Sequence, residues 1–224
     1  MKVHSNHQLI FVSIVALALA VASVYTLQEL APDVYNGITG AVVTRVNLTG
    51  VGPADCNFIL YDEWNLVSFF CVSDFMDLPD AIGSLTNLAA MFGYEKGDGD
   101  PWKAYKPDLP LNVVNDLTYV SKKKGYWIRM NGSENYFLNG TLAPFALVTI
   151  TEGYQLVGYP NNETEPIPEV FLTINNSYTK VVSQNPVNQT ILTYIVGVGG
   201  TLNETRPYRG YWINATTSDT WVVS

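Results

Sequence analysis

Hydrophobic and polar positions along this chain fall into three regimes. From Leu9 to Leu27 the residues LIFVSIVALALAVASVYTL carry no charge, with Lys2 before them and Glu29 and Asp33 after. At a rise of 1.5 Å per residue the segment is about 28 Å long, close to the roughly 30 Å hydrocarbon thickness of a bilayer. No polar face recurs at a helical period, so residues 1–29 are expected to be a membrane anchor or a signal peptide. Ala20-Val21-Ala22 offers a small-x-small cleavage pattern, with cleavage after Ala22. On both readings Lys2 stays in the cytoplasm and everything beyond residue 30 is exported, to the cell surface or the medium. Residues 30–50, where Pro, Gly and Asn are scattered among β-branched residues, read as a stem with at most one loosely attached strand at 42–48.

The third regime is strand-like and occurs twice. NFILY and WNLVSFF flank Asp62-Glu63, and FALVTI and YQLVGYP flank Thr151-Glu152-Gly153, each the pattern of a β-hairpin. Trp64-Asn65-Leu66-Val67 falls on Tyr154-Gln155-Leu156-Val157, and Pro79-Asp80-Ala81-Ile82 on Pro168-Glu169-Val170-Phe171. A Pro followed by an acid opens a short helix in both copies, because the missing amide and the helix dipole favour that first turn. The Lys96 to Asp100 stretch, KGDGD, is a tight turn, and a second helical turn is expected around Leu111 to Leu117. Both copies then reach Gly-Tyr-Trp-Ile, at 125–128 and 210–213. The expected fold class is α+β and β-rich: module 1 at 51–141 and module 2 at 142–224, mostly antiparallel strands with one or two short helices each. Gly125 and Gly210 are expected to give backbone freedom at a turn, and the tryptophans after them to plug one core per module. Trp64, Trp127, Trp212 and Tyr154 are thus the expected structural core.

Composition narrows the partners. A net charge of −8 and a pI near 4.6 repel nucleic acid. The only histidines, His4 and His7, precede the apolar segment, so His-based triads and His-ligated metals have no residues to use. Asn-X-Ser/Thr triplets stand at Asn47, Asn131, Asn139, Asn162, Asn175, Asn188, Asn203 and Asn214, more than composition alone would place, and such glycan acceptors belong on loops of exported proteins. Cys56 and Cys71 are the only cysteines. In an oxidising compartment they can close a disulfide, the alternative being two buried thiols.

WNLVSFF and YQLVGYP, each followed by a Pro-initiated helix and then by GYWI, resemble the tandem module with a GWNLVGYP-type start and a GYWI-type end of archaeal and some bacterial cell-envelope proteins. The likeness covers residues 57–224. It implies a secreted or anchored surface protein, of the kind appended to S-layer, adhesion or protease-containing chains, and brings over no catalytic residue. TGAVV, after the apolar segment, is similar to the stem of small archaeal surface proteins.

Chemistry is sparse. Asp98 and Asp100 beside glycines could hold Ca²⁺, but such a loop needs more carboxylates. Lys122 to Lys124 could touch anionic glycans or simply form a solvated turn. No catalytic, metal or cofactor site is expected. The function expected is a non-enzymatic structural or interaction protein, held to the membrane through residues 9–27, with envelope proteins, glycans or copies of itself as partners. The alternative is a carbohydrate-binding or adhesion module that uses exposed aromatics, with Trp102, Tyr105, Tyr159 and Tyr194 as candidates.

Overall fold

A computed structural model describes residues 52–110 and 114–224; the apolar segment, the stem and Asn47 lie outside the described residues. The first module runs β1 (Gly52–Pro53), β2 (Cys56–Leu60), β3 (Glu63–Val67), β4 (Met76–Asp77), helix α1 (Leu78–Ile82), β5 (Leu88–Tyr94), β6 (Trp102–Tyr105), β7 (Tyr119–Val120), β8 (Tyr126–Met130) and β9 (Glu134–Leu138). After β10 (Thr141–Leu142), which pairs with β1, the order repeats. The second module has β11 (Ala146–Ile150), β12 (Gly153–Val157), β13 (Glu165–Pro166), helix α2 (Ile167–Val170) with a 3-10 turn at Leu172–Ile174, β14 (Tyr178–Asn185), β15 (Thr190–Ile195), β16 (Gly199–Gly200), β17 (Glu204–Thr205), β18 (Tyr211–Ala215) and β19 (Asp219–Val223). The architecture is β-rich, 48% strand against 7% helix, so the helices are single turns rather than a layer. Among the described residues all strand pairings are antiparallel.

The main sheets have the orders β3-β8-β5-β6 and β12-β18-β14-β15-β16, and the two-stranded ribbons β2-β9 and β11-β19 stand beside them. Two separate hydrophobic clusters result, one between Cys56 and Tyr136 and one between Val148 and Val223. Alternation along the strands builds them: β11 reads buried-exposed-buried-exposed-buried. Cys56 and Cys71 form a disulfide inside the first cluster.

Several expectations change. The runs around Asp62-Glu63 and Thr151-Glu152-Gly153 are not hairpins: β2 pairs with β9 but β3 with β8, so the chain turns a corner from ribbon to sheet. Asn65 Oδ1 accepts the Tyr61 amide at that corner and Gln155 Oε1 accepts the Thr151 amide at the other, both at 2.8 Å. The described part of the expected second helix is irregular; instead the amides of Asp116 and Leu117 both donate to the Ala104 carbonyl at 3.1 Å.

The largest correction concerns GYWI. Tyr126 and Ile128, and likewise Tyr211 and Ile213, point into the cores, whereas Trp127 and Trp212 lie on the opposite face and are half-buried. Trp64 is 37% exposed and Tyr154 50% exposed, so neither belongs to a core. The plugs sit on the following strand: Tyr136 and Trp221, each fully buried. Tyr136 Oη donates to the Ala81 carbonyl at 2.7 Å, and Trp221 Nε1 donates to the Val170 carbonyl at 2.8 Å. Each plug thereby ties its strand to the single helical turn and satisfies its one polar atom in a dry core.

Gly125 and Gly210 also work differently from expected. Neither has a positive φ. A Cβ on Gly125 would stand 2.7 Å from the Val157 carbonyl oxygen, and one on Gly210 at 2.7 Å from the Val67 carbonyl oxygen. The two modules cross there reciprocally, Val67 bridging Arg209 and Lys124 bridging Val157, and glycine permits the close approach of backbones. The Gly210 amide donates to Leu66, the Ser68 amide to Tyr208 and the Gly158 amide to Lys123.

Candidate functional site

Strand alternation lines up one aromatic row on the face of the first sheet that does not meet its core. Trp127 on β8 is opposite Leu66 on one side and Phe92 on the other, and Trp102 on β6 is opposite Tyr94. Trp64 sits edge-on to Trp127 at 6.2 Å and 5.9 Å from Phe92. Trp212, from the second sheet, packs on Tyr94 at 5.0 Å and Trp102 at 5.9 Å. The row is thus continued across the junction by the second GYWI motif.

Between the sheets this row leaves an open cleft of about 610 Å³ lined by Trp64, Phe92, Trp102, Trp127, Gln184 and Gln189. Its size is that of a small-molecule site. The two glutamines are structural: Gln184 Oε1 accepts the Leu66 amide at 3.1 Å, its Nε2 donates to Gln189 Oε1 at 2.9 Å, and Gln189 Nε2 donates to the Trp64 carbonyl at 3.0 Å. They occupy backbone groups on the edge of β3 that would otherwise seek a further strand. The cleft therefore offers ring faces above all, with polar groups already engaged.

Of the candidate ligand aromatics only Trp102, 43% exposed, reaches this cleft. Tyr159 is fully buried, stacked near Trp221 with its hydroxyl donating to Glu165 at 3.2 Å. Burial pushes that hydroxyl well above the ordinary tyrosine range. Tyr105 and Tyr194 pack on the two cores. Trp64 and Trp127, expected in a core, line this cleft instead, together with Phe92, which no motif of the sequence marks. A signal existed: Arg129 shares the face of Trp127, and Asn214 that of Trp212, so the polar residue two positions on marked those faces as outward.

A second cavity of about 510 Å³ lies where Glu95, Tyr119 and Lys124 face Gln155 to Val157. Lys124 Nζ contacts Glu95 Oε1 at 2.6 Å and Tyr119 Oη at 3.0 Å. The Lys124 hydrogen bond holds the Glu95 carboxyl below the usual range despite desolvation. Desolvation pulls Lys124 down, but Glu95 and Tyr119 outweigh it and raise it. Lys123 pairs with Asp74 at 2.7 Å. Two of the three consecutive lysines are therefore engaged within the protein. Asp98 pairs with Lys103 at 3.1 Å and caps its own turn through the Asp100 amide. Among the described residues no cluster of three metal-ligating side chains occurs.

The asparagines of six sequons, at 131, 139, 162, 175, 188 and 203, are exposed, and Asn214 is half-buried in β18, donating to Thr179 Oγ1 at 3.2 Å. Among the described residues no helix is long and apolar enough to cross a membrane. No protein family, curated protein or solved structure matches the chain.

Proposed function

We propose that this chain is a non-enzymatic, N-glycosylated interaction protein of the cell surface, held by residues 9–27 or released by cleavage after Ala22, whose two modules jointly present a saccharide-binding cleft. The cell-envelope resemblance and the exposed sequons support the location. The observation that carries the ligand class is the row of Trp64, Phe92, Trp102 and Trp127 around an open cleft of about 610 Å³. The C–H-rich face of a pyranose is apolar and slightly positive, complementary to the negative face of an aromatic ring. Rings held by a sheet lose little freedom on binding, so stacking energy is retained.

Titration of the full-length chain with neutral oligosaccharides, followed by tryptophan fluorescence, tests this. Saturable quenching is expected, and Trp102→Ala should weaken binding by about 1 kcal/mol, roughly five-fold. Quenching that never saturates, or binding unchanged in Trp102→Ala and Trp64→Ala alike, would remove the saccharide reading.

A further inference from the structure

The internal repeat allows one site to be read against another. The second cavity described above has a counterpart of about 250 Å³, lined among others by Tyr61, Asn65, Val67, Arg206, Tyr208 and Arg209. Tyr61, Asn65 and Val67 take the places of Thr151, Gln155 and Val157, and Arg209 that of Lys124. The reciprocal backbone bridges, Val67 to Arg209 and Val157 to Lys124, give the same equivalence independently.

The two cavities differ in charge balance: Asp74 and Glu95 accompany the lysines in the first, whereas Arg206 and Arg209 are the charged residues of the second. In the first module Gly93 pairs with Tyr126, so continuing that register by two residues sets Glu95 opposite Lys124, with the 2.6 Å ion pair as the result. In the second, Val182 pairs with Trp212 as Phe92 pairs with Trp127 in the first, and continuing by three residues from either pair sets Asn185 opposite Arg209 as it sets Glu95 opposite Lys124. The carboxylate is replaced by a neutral amide whose Oδ1 already accepts the Val187 amide at 3.0 Å. Arg209 is half-buried, and among the described residues it forms no ion pair and its guanidinium donates no hydrogen bond. The nearby carboxylate of Glu204 is held by Arg206 at 2.6 Å. Desolvation accordingly lowers the Arg209 pKa. A half-buried guanidinium carries five donors and no acceptor, and its fork matches a carboxylate in two parallel hydrogen bonds.

We propose that the cavity at Arg209 is a receptor for the carboxylate group of a ligand, which takes the place that Glu95 fills beside Lys124 in the other module. The proposal does not require the aromatic cleft to bind a saccharide. The carboxylate can come from an acidic sugar or from a simple organic acid, and the two sources separate by affinity.

The experiment follows the Arg209 Nε–Hε NMR signal of the full-length chain, in detergent micelles, during titration with sodium glucuronate, sodium acetate or sodium chloride at constant ionic strength. Glucuronate and acetate should shift it saturably and chloride should not. Glucuronate at least tenfold tighter than acetate would support an acidic sugar as the source, and equal affinities would support recognition of the carboxylate alone. Asn185→Glu, which supplies the internal carboxylate, should weaken both by at least tenfold, and Glu95→Gln should create a second saturable site at Lys124. A shift matched by chloride, or an Asn185→Glu variant that binds like the unmodified chain, overturns the proposal. Arg209→Gln should abolish binding; should it fail to fold, Asn185→Glu, which retains the arginine, decides.

Discussion

Replacing Trp221 by alanine should cost far more stability than replacing either tryptophan of the two GYWI motifs. Trp221 is fully buried, with its ring 4.6 Å from that of Phe171 and its Nε1 2.8 Å from the Val170 carbonyl. Truncating a fully buried aromatic costs about 3–5 kcal/mol through lost transfer energy and the cavity left behind. The orphaned Val170 carbonyl adds about 1 kcal/mol or more, since it sits where water does not reach it easily. Trp127 is only half-buried and borders an open cleft, so its alanine variant leaves no closed cavity and should lose about 1–2 kcal/mol on area alone. Trp221→Phe separates the contributions: it keeps most of the ring, loses the hydrogen bond, and should fall between, at about 1–3 kcal/mol. Urea unfolding followed by circular dichroism measures all three, with an unchanged slope required so that midpoints report stability. If Trp127→Ala lost as much as Trp221→Ala, the assignment of the plugs to β9 and β19 would be wrong.

Other consequences are checked with the same unfolding assay. Gly125→Ala and Gly210→Ala place a methyl 2.7 Å from a carbonyl oxygen of the other module and should each lose about 1–3 kcal/mol by overpacking; neutral effects would mean that the junction is loose. Glu63 holds a φ of +67° where its counterpart Gly153 has +90°, so Glu63→Gly should gain about 0.5–1 kcal/mol, the relieved strain exceeding the entropy cost of glycine and the exposed pair with Arg129 being worth little. Breaking the Cys56–Cys71 disulfide, whose cysteines are 15 positions apart, should cost about 3 kcal/mol, read as the difference between reduced and oxidised protein. Because the Glu95 pKa is lower in the folded state than its ordinary value of 4.5, the ion pair stabilises the fold above that value and is lost as pH falls through the folded pKa; Glu95→Gln should flatten this acid limb and leave stability at neutral pH reduced by about 1 kcal/mol or less.

What the sequence determined by itself was local. Strand-length apolar, aromatic and β-branched runs marked β2, β3, β11 and β12; Pro79 and Pro168 followed by acids marked the two helical turns; and the recurring spacing of WNLV, YQLV and GYWI gave the order of elements. These features depend on backbone sterics and on which neighbours share a strand face, and both are written in consecutive residues. Apart from the cue of Arg129 and Asn214, each two positions after a GYWI tryptophan, tertiary structure decided which face of each strand was inside. In GYWI both faces are rich in aromatic and apolar groups, since one meets its own core and the other meets the opposing module or the cleft, and hydrophobicity does not separate the two kinds of cover. The same limit turned expected hairpins into corners, because the partners of β3 and β12 both lie more than fifty residues away. It also hid the reason for Gly125 and Gly210, whose missing Cβ matters only because a carbonyl from the other module arrives at 2.7 Å.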